Sequence, residues 1–499
     1  MEAEVLIVGA GPVGLTLAVE LARYGVTVRI VDKAAQRSDK SKALAVWSRT
    51  LELLDRSGCA ATLVAAGKQV AAANIVAGGK TIGRVELGGV KSPHPYALML
   101  PQSETERLLE AHLNGLGVQV ERGLKLVRFT DRADSVTATL RHYDGSEEKI
   151  QSQWLVGCDG AHSAVRDGMR MVFTGDTPPC TWVLAEVRLQ GLRNPGEIEV
   201  GWHADGMLAI FPIAGERYQV IADMGPSQTA EGQPDPALSD VQALLDKRGR
   251  GGVRASEPGW LTKFRVNERK VENYRRGHVF LAGDAAHVYS PAGAQGMNTG
   301  MQDAFNLAWK LALVCRGICA EEPLLDGYSS ERSEVGEQVL KTTGRIASLA
   351  LVHGDLKQTM RNYIASLVFG FSPARSAMAD TISEVSIEYP HSPMNVQGSK
   401  LFQHPAAGER VPMREGEAPI GAGDRPRFVL CADISEVTAR SAAAVLVGLY
   451  GQLAEETVRA PFGEGGMWLV RPDGYVALAT RAGEWDDVAA YLDRLARRR

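Results

Sequence analysis

The feature that most restricts the fold lies at the start of the chain. Residues 4–8, Glu-Val-Leu-Ile-Val, read as a buried strand, and Gly9-x-Gly11-x-x-Gly14 follows it directly. Residues 15–24 have helical periodicity and stop at Gly25, and residues 26–31 form a second strand ending at Asp32. That order predicts a βαβ unit with a dinucleotide turn between the first strand and the helix. Gly9 permits the turn, Gly11 lets the backbone meet a pyrophosphate, and Gly14 lets helix and strand approach. Asp32 can accept a hydrogen bond from a ribose hydroxyl. The spacing does not choose between a nicotinamide and a flavin dinucleotide, and a glycine-rich turn that binds nothing is the plain structural alternative.

With 499 residues, 45% of them hydrophobic, the chain has room for two or three domains. A net charge of −4 provides no basic footprint for nucleic acid and no polybasic membrane face, and it suits a small neutral or mildly anionic substrate. The terminal Arg497-Arg498-Arg499 reads as a solvated helix end. Six scattered cysteines, none paired at two-residue spacing, indicate neither a zinc site nor a disulfide framework, so no metal is expected. No leader pattern precedes the glycine turn, and no apolar run approaches the ~20 residues that span a bilayer. A cytoplasmic protein with no nucleic-acid or membrane partner is therefore expected.

A second organising stretch is residues 283–298, Gly-Asp-Ala-Ala-His-Val-Tyr-Ser-Pro-Ala-Gly-Ala-Gln-Gly-Met-Asn. It lies between a short apolar strand at residues 278–282 and a helix-period segment at residues 298–314. Asp284 is thus expected at a strand end and a row of backbone N–H groups at a helix start, suited to hydroxyls and to negative charge. Between these motifs, Ser103 and Glu106 read as a capping box opening a helix to about residue 116. Gln102 just ahead of it is satisfied either by a loop carbonyl or by a cofactor. Asp159-Gly160 caps another strand, and residues 163–166 begin a short helix; a plain turn with Arg166 on the surface is the alternative.

Residues 173–269 change character to short alternating stretches, with one helix at residues 238–247, which predicts an inserted antiparallel sheet. Residues 325–388 are mostly helical, with a break at Phe371-Ser-Pro373, and six prolines between residues 390 and 426 mark a linker. A strand at residues 428–432, a helix at residues 435–453, a hairpin across Pro472-Asp473-Gly474 and a last helix at residues 485–496 make a small α/β unit. The expected division is residues 1–172 with 270–390, then 173–269, and finally 400–499.

Taken together, Gly9-x-Gly11-x-x-Gly14, Asp159-Gly160 and Gly283-Asp284-Ala-Ala-His with Pro291 and Gln295-Gly-Met-Asn298 resemble the single-component FAD-dependent aromatic hydroxylases. That is the class of para-hydroxybenzoate and phenol hydroxylases. The resemblance covers the whole chain and is nearest to the aromatic polyketide hydroxylases, because Pro472-Asp-Gly-Tyr-Val476 lies in a segment similar to their thioredoxin-like C-terminal domain. It implies an α/β fold: a discontinuous Rossmann-like FAD domain, an inserted β-rich substrate domain and the thioredoxin-like appendix. No Cys-x-x-Cys is present there, so packing or dimerisation is its expected role.

The resemblance also implies that Val13 and Gly14 lie against the FAD pyrophosphate and that Asp32 holds the adenosine ribose. By the same carry-over, Gln102 touches the cofactor's centre, Leu126 lies near the adenine, and Asp284 binds the ribitol. Gly296, Met297 and Asn298 offer N–H groups to the pyrimidine edge. Asp159 and Arg166 contribute to FAD and NAD(P)H binding, and Lys33 and Lys42 count among the cofactor-binding residues. Asp32 replaces the commoner Glu, Lys42 stands where an Arg is usual, Ala294 replaces a usual Gly, and His162 occupies a variable slot.

The implied reaction is hydroxylation of a small phenolic or polyketide-type aromatic substrate with O2 and NADPH or NADH, through a flavin hydroperoxide. Phe211 is expected to wall the substrate site together with Pro291, Ala292 and Gly293. No general base is evident, and His203, Arg217, Tyr218 and His287 read as structural. A homodimer is compatible with the sequence. The alternatives are a Baeyer–Villiger or ring-opening flavin monooxygenase and a non-enzymatic binding protein on the same fold.

Overall fold

The computed structural model describes residues 3–178, 180–226, 234–290, 293–350, 355–397 and 404–497. Its first sheet has a parallel core. Ala3–Val8 pairs on one side with Val28–Asp32 and on the other with Glu147–Gly157, which pairs in turn with Val279–Leu281. In register, Val8 lies beside Gly157 and Gly157 beside Leu281. The three loops singled out in the sequence therefore leave the carboxyl edge of three adjacent strands, where open α/β sheets hold ligands.

Helices Pro12–Arg23 and Gly296–Cys315 pack against each other beside this edge. Glycine makes the contacts possible. A Cβ on Gly14 would sit 1.9 Å from the Gly9 carbonyl oxygen, and one on Gly300 would sit 3.0 Å from Gly283 Cα. Helix Gly296–Cys315 is buried from Asn298 to Val314, as expected of a helix in the middle of a large core.

The second large sheet has seven strands in the order Arg254–Arg265, Cys180–Gln190, Arg217–Pro226, Gly206–Pro212, Ile198–His203, Ala72–Ala77, Lys80–Glu86. The last two come from outside residues 173–269, so the inserted sheet is completed by a hairpin from the first part of the chain. Ala72–Ala77 joins Ile198–His203 in parallel, a pairing with no local sequence signature. Helix Leu238–Arg248 covers one face through Val241 and Leu245. The other face looks back toward the first sheet.

Two expectations are corrected here. The helix beginning at Gln102 has Pro101 as its N-cap and no side-chain cap. Ser103 lies inside the first turn and its hydroxyl meets Ser41 Oγ at 2.9 Å, while Glu106 accepts from Gln102 Nε2 at 2.8 Å. A tertiary partner thus took the hydroxyl from its local role. The proline-rich stretch after residue 390 is not a free linker either. Met394 and Val411 are buried, Gly408 N donates to Val476 O at 2.8 Å, and Val411 N to Gly474 O at 3.0 Å. Its prolines and glycines shape a packed path across the C-terminal hairpin.

That C-terminal unit has a four-stranded sheet, Val396–Gln397, Val476–Arg481, Gly466–Val470, Val429–Cys431, flanked by Val437–Leu449 and Trp485–Leu495. A buried ionic seam fastens it to the first domain. Arg471 reaches Glu331 at 2.6 and 2.9 Å, Lys310 reaches the same carboxylate at 2.8 Å, and Arg49 donates to the Asp473 carbonyl at 2.8 Å.

Candidate active site

A cavity of about 360 Å³ opens where the two large sheets face each other. One wall contains Gly11, Val13, Lys42, Gln102, Asp284, Gly296 and Met297; the other contains Phe211, Gln219 and Ile221. The first wall is held in part by carboxylates that accept main-chain hydrogen bonds. Asp32 Oδ2 accepts from Ala10 N at 2.7 Å and Oδ1 from Ala34 N at 2.8 Å, which ties the glycine turn to the end of the second strand. Asp159 accepts from Ala164 N and Val165 N, and Ser163 Oγ accepts from Arg166 N at 2.9 Å, capping the helix Ala164–Gly168.

The loop after Val279–Leu281 has the strongest anchor, and sequence reasoning missed it. Asp303, buried in helix Gly296–Cys315, accepts from Gly283 N at 2.9 Å, from His287 Nε2 at 2.7 Å and from Arg332 Nε at 2.6 Å. Burial alone would raise its carboxyl, but His287 and Arg332 hold it below the usual range. Arg332 also donates to the Thr299 carbonyl at 2.9 Å. Glu384 lies beside this group and accepts from Thr299 Oγ1 at 3.0 Å and Gln302 Nε2 at 2.5 Å. Burial pushes it up to about 8. The available signal was the run of Asp303, Asn306 and Lys310 on one side of an otherwise apolar helix, a spacing that stacks polar groups inside a core.

With the loop fixed, Asp284 turns its carboxylate into the cavity, where it is exposed. The surrounding protein nonetheless pushes it above the ordinary carboxylate value, against the lowering effect of His287 and Lys42. Gly296 and Met297 also reach the cavity surface, and the first N–H groups of a helix have no partner within it. Asn298 turns away. Its Oδ1 accepts from Trp47 N at 2.8 Å, and its Nδ2 donates to Ala45 O at 2.8 Å and Ala294 O at 3.2 Å. Ala294 adopts φ 51°, a left-handed conformation that a glycine would take at less cost; the bonds to its carbonyl from Asn298 and from Trp47 Nε1 keep it in place.

The remaining sequence-derived residues divide clearly. Arg166 is buried below the loop, donating to Ala285 O and Ala161 O, with its guanidinium over the Phe173 ring at 4.1 Å. Lys33 is exposed beyond the cavity, and Leu126 is buried in the core. Neither lines the cavity wall. Gly293 is half-buried next to Ala294, whereas Pro291 and Ala292 lie outside the described residues. Arg217 pairs with Glu186 at 2.9 Å, Tyr218 donates to the Pro195 carbonyl at 3.1 Å, and His203 lies 3.5 Å from Asp205, so all three have structural partners. Gln219, not singled out in the sequence, joins the walls: its Nε2 donates to Ser41 O at 3.1 Å. Among the described residues no group of His, Cys, Asp and Glu could hold a metal ion, and no helix is long and apolar enough to cross a membrane.

The donor set fits a dinucleotide cofactor. A Cβ on Gly9 would lie 2.3 Å from the Cys158 carbonyl oxygen, and Gly14 is equally confined, so the protein itself requires both glycines. A Cβ on Gly11 would meet nothing within 4 Å; no protein atom demands glycine there, and its bare main chain borders the cavity, as close approach of a pyrophosphate requires. Asp159 Oδ1 is likewise buried with no partner among the described residues, which is costly unless a ligand donor satisfies it.

Comparison with known proteins agrees with this reading. The profile of the FAD binding domain family matches residues 2–343. The chain is 35% identical to 6-methylpretetramide 4-monooxygenase of Streptomyces rimosus over 99% of its own length and 93% of that protein's. It is 32% identical to pentachlorophenol 4-monooxygenase of Sphingobium chlorophenolicum over 83% and 76%. The solved structure of anhydrotetracycline hydroxylase from Streptomyces rimosus superposes with a TM-score of 0.80 at 28% identity, covering 99% of each chain. The chain belongs to the FAD binding domain family and, within it, to the flavin-dependent monooxygenases.

Proposed function

We propose that the chain hydroxylates a phenolic or polyketide-type aromatic compound, using FAD, O2 and either NADH or NADPH. The observation that supports this most is the shared cavity, with the glycine turn, Asp284 and a helix start on one side and an apolar sheet face on the other. Bound FAD supplies the two-electron chemistry by which O2 delivers one oxygen atom to an electron-rich ring. The names of the relatives, which act on tetracycline-type polyketides and on a chlorinated phenol, support the substrate class.

In this reading Asp284 accepts from the ribityl hydroxyls, and Gly11 and Val13 lie along the pyrophosphate. Gly296 and Met297 aim N–H groups at the edge of the ring system where negative charge collects; a helix start favours that charge by roughly 0.3–2 kcal/mol. Asp32 holds the adenosine end, with its own backbone bonds already fixing its orientation. Gln102 and Lys42 line the middle of the site. Phe211 and Ile221 exclude water on the substrate side and present an apolar wall to a flat ring. Residues 173–269, completed by the hairpin at residues 72–86, serve as the substrate domain. Residues 400–499 form the thioredoxin-like appendix, whose part is packing across the buried seam.

The test is a panel of single-ring phenols and polycyclic quinols scored for stimulated NAD(P)H oxidation, with hydrogen peroxide measured in parallel. The reading requires a yellow protein and stimulation by at least one compound. A colourless protein, or oxidation that no aromatic stimulates, would remove it.

A further inference from the structure

Helix Asp355–Gly370 exposes more hydrocarbon than its position explains. Met360, Ile364 and Val368 are 61%, 50% and 45% exposed, and their four-residue spacing places them in one row. With Trp202, Phe369 and Met378 they line a groove of about 400 Å³ whose surface is almost wholly apolar. That volume lies in the range of small-molecule sites.

The floor of the groove belongs to the sheet that roofs the cavity. Met207, Ala209 and Phe211 alternate along Gly206–Pro212 and so share a face. Trp202 pairs with Met207, and Ile221 with Ala209; directly paired residues point to the same side. All five pack in one apolar cluster. Phe211 borders the cavity, whereas Trp202 borders the groove beside Met207, four residues or about 13 Å further along the sheet. Phe211 also packs in the cluster that contains Ala365, Phe369 and Met378, so cavity and groove share a wall. At the rim, Lys357 is exposed and lines the groove, while the buried Arg361 guanidinium lies 4.9 Å from the centre of the Trp202 ring.

The geometry points to a second binding site for a fused-ring phenolic substrate in this groove, outside the position that the substrate takes in the cavity. The inference rests on the substrate class proposed above. An aromatic floor, an aliphatic side and a cationic rim complement a flat polycyclic ring bearing partly ionised hydroxyls. A second copy of the chain is the other natural occupant of an exposed helix face. Yet a 16-residue helix is about 24 Å long and 10–12 Å wide, far short of the ~800 Å² that each partner gives to a standard interface.

Equilibrium dialysis of the FAD-loaded full-length protein against 1,8-dihydroxyanthraquinone tests the site. Two equivalents per chain are expected. Ile364→Glu, which buries a carboxylate against the bound ring, should weaken one of the two at least about tenfold while the flavin stays bound. Met360→Glu, at the more exposed position, should do the same and serves if Ile364→Glu loses flavin. One equivalent in the unaltered protein, or two undiminished equivalents in both variants, would overturn the site. A dimer that Ile364→Glu converts to a monomer in sedimentation would also overturn it, by assigning the face to a second copy. Failure of the hydroxylase reading is separate: two equivalents bound with no stimulated NAD(P)H oxidation would leave the groove standing and remove that reading.

Discussion

On the cofactor wall of the cavity, the groups that meet the interior come from the turn at residues 9–14, the helix start at Gly296 and Met297, and the polar side chains of Lys42, Gln102 and Asp284. On the opposite wall they are side chains, Phe211, Gln219 and Ile221, carried on two strands of the seven-stranded sheet. The first wall is braced from behind by buried ion pairs at Asp303 and Arg332; the second is braced mainly by apolar packing around Phe211, with one side-chain bond from Gln219 to Ser41 O. The contrast teaches that geometry is fixed where a common cofactor must be held, and that shape is left to replaceable side chains where the substrate varies.

The largest expected effect breaks the brace. Asp303→Asn leaves Arg332 buried without its counter-charge and should cost about 3–5 kcal/mol in a urea melt. If stability changes by less than 1 kcal/mol, the cofactor wall is not built as described.

Glu384 should reveal the same rigidity through pH. Its folded value, about 8, lies above that of an unfolded glutamic acid near 4.5, so its contribution is full below about pH 4.5 and is lost as pH rises through about 8. The unaltered protein should therefore lose stability relative to Glu384→Gln across that window, on the order of 5 kcal/mol in all. A difference that stays constant, or grows in the opposite direction, would show that the carboxyl is ionised in the folded state.

How much of this was readable in the sequence follows from the same contrast. The cofactor wall depends on glycine spacing and on an acid at a strand end, both of which are local, so Gly9, Gly11, Gly14, Asp32 and Asp284 could be picked out by position alone. Asp303 could not, because its partners Gly283, His287 and Arg332 converge only in the folded chain. On the sheet wall, alternation located the strands around Phe211 but not their neighbours; the edge hairpin at residues 72–86 joins by a long-range parallel pairing. Ser103 misled for a related reason, since a distant hydroxyl on Ser41 competed with the local cap.

Gly11→Ala sharpens the comparison at a smaller scale. Because the added methyl meets no protein atom, the melting temperature of the flavin-free protein should hardly move, while the Kd for FAD should rise about 10–100-fold, roughly 1.4–2.8 kcal/mol. Equal losses of stability and affinity would mean that the glycine serves the fold. The smallest effect belongs to the other wall: Phe211→Ala should retain FAD and raise KM about tenfold, near 1.4 kcal/mol. Loss of FAD with KM unchanged would place Phe211 on the wrong side of the cavity.

The most direct measurement of the central claim, that one cavity brings FAD and an aromatic ring together, is turnover under ¹⁸O-labelled O2 with the phenol or quinol that best stimulates NAD(P)H oxidation. The account predicts one labelled oxygen atom on the product ring for each NAD(P)H consumed. Label recovered only in hydrogen peroxide, with the aromatic compound unchanged, would contradict it.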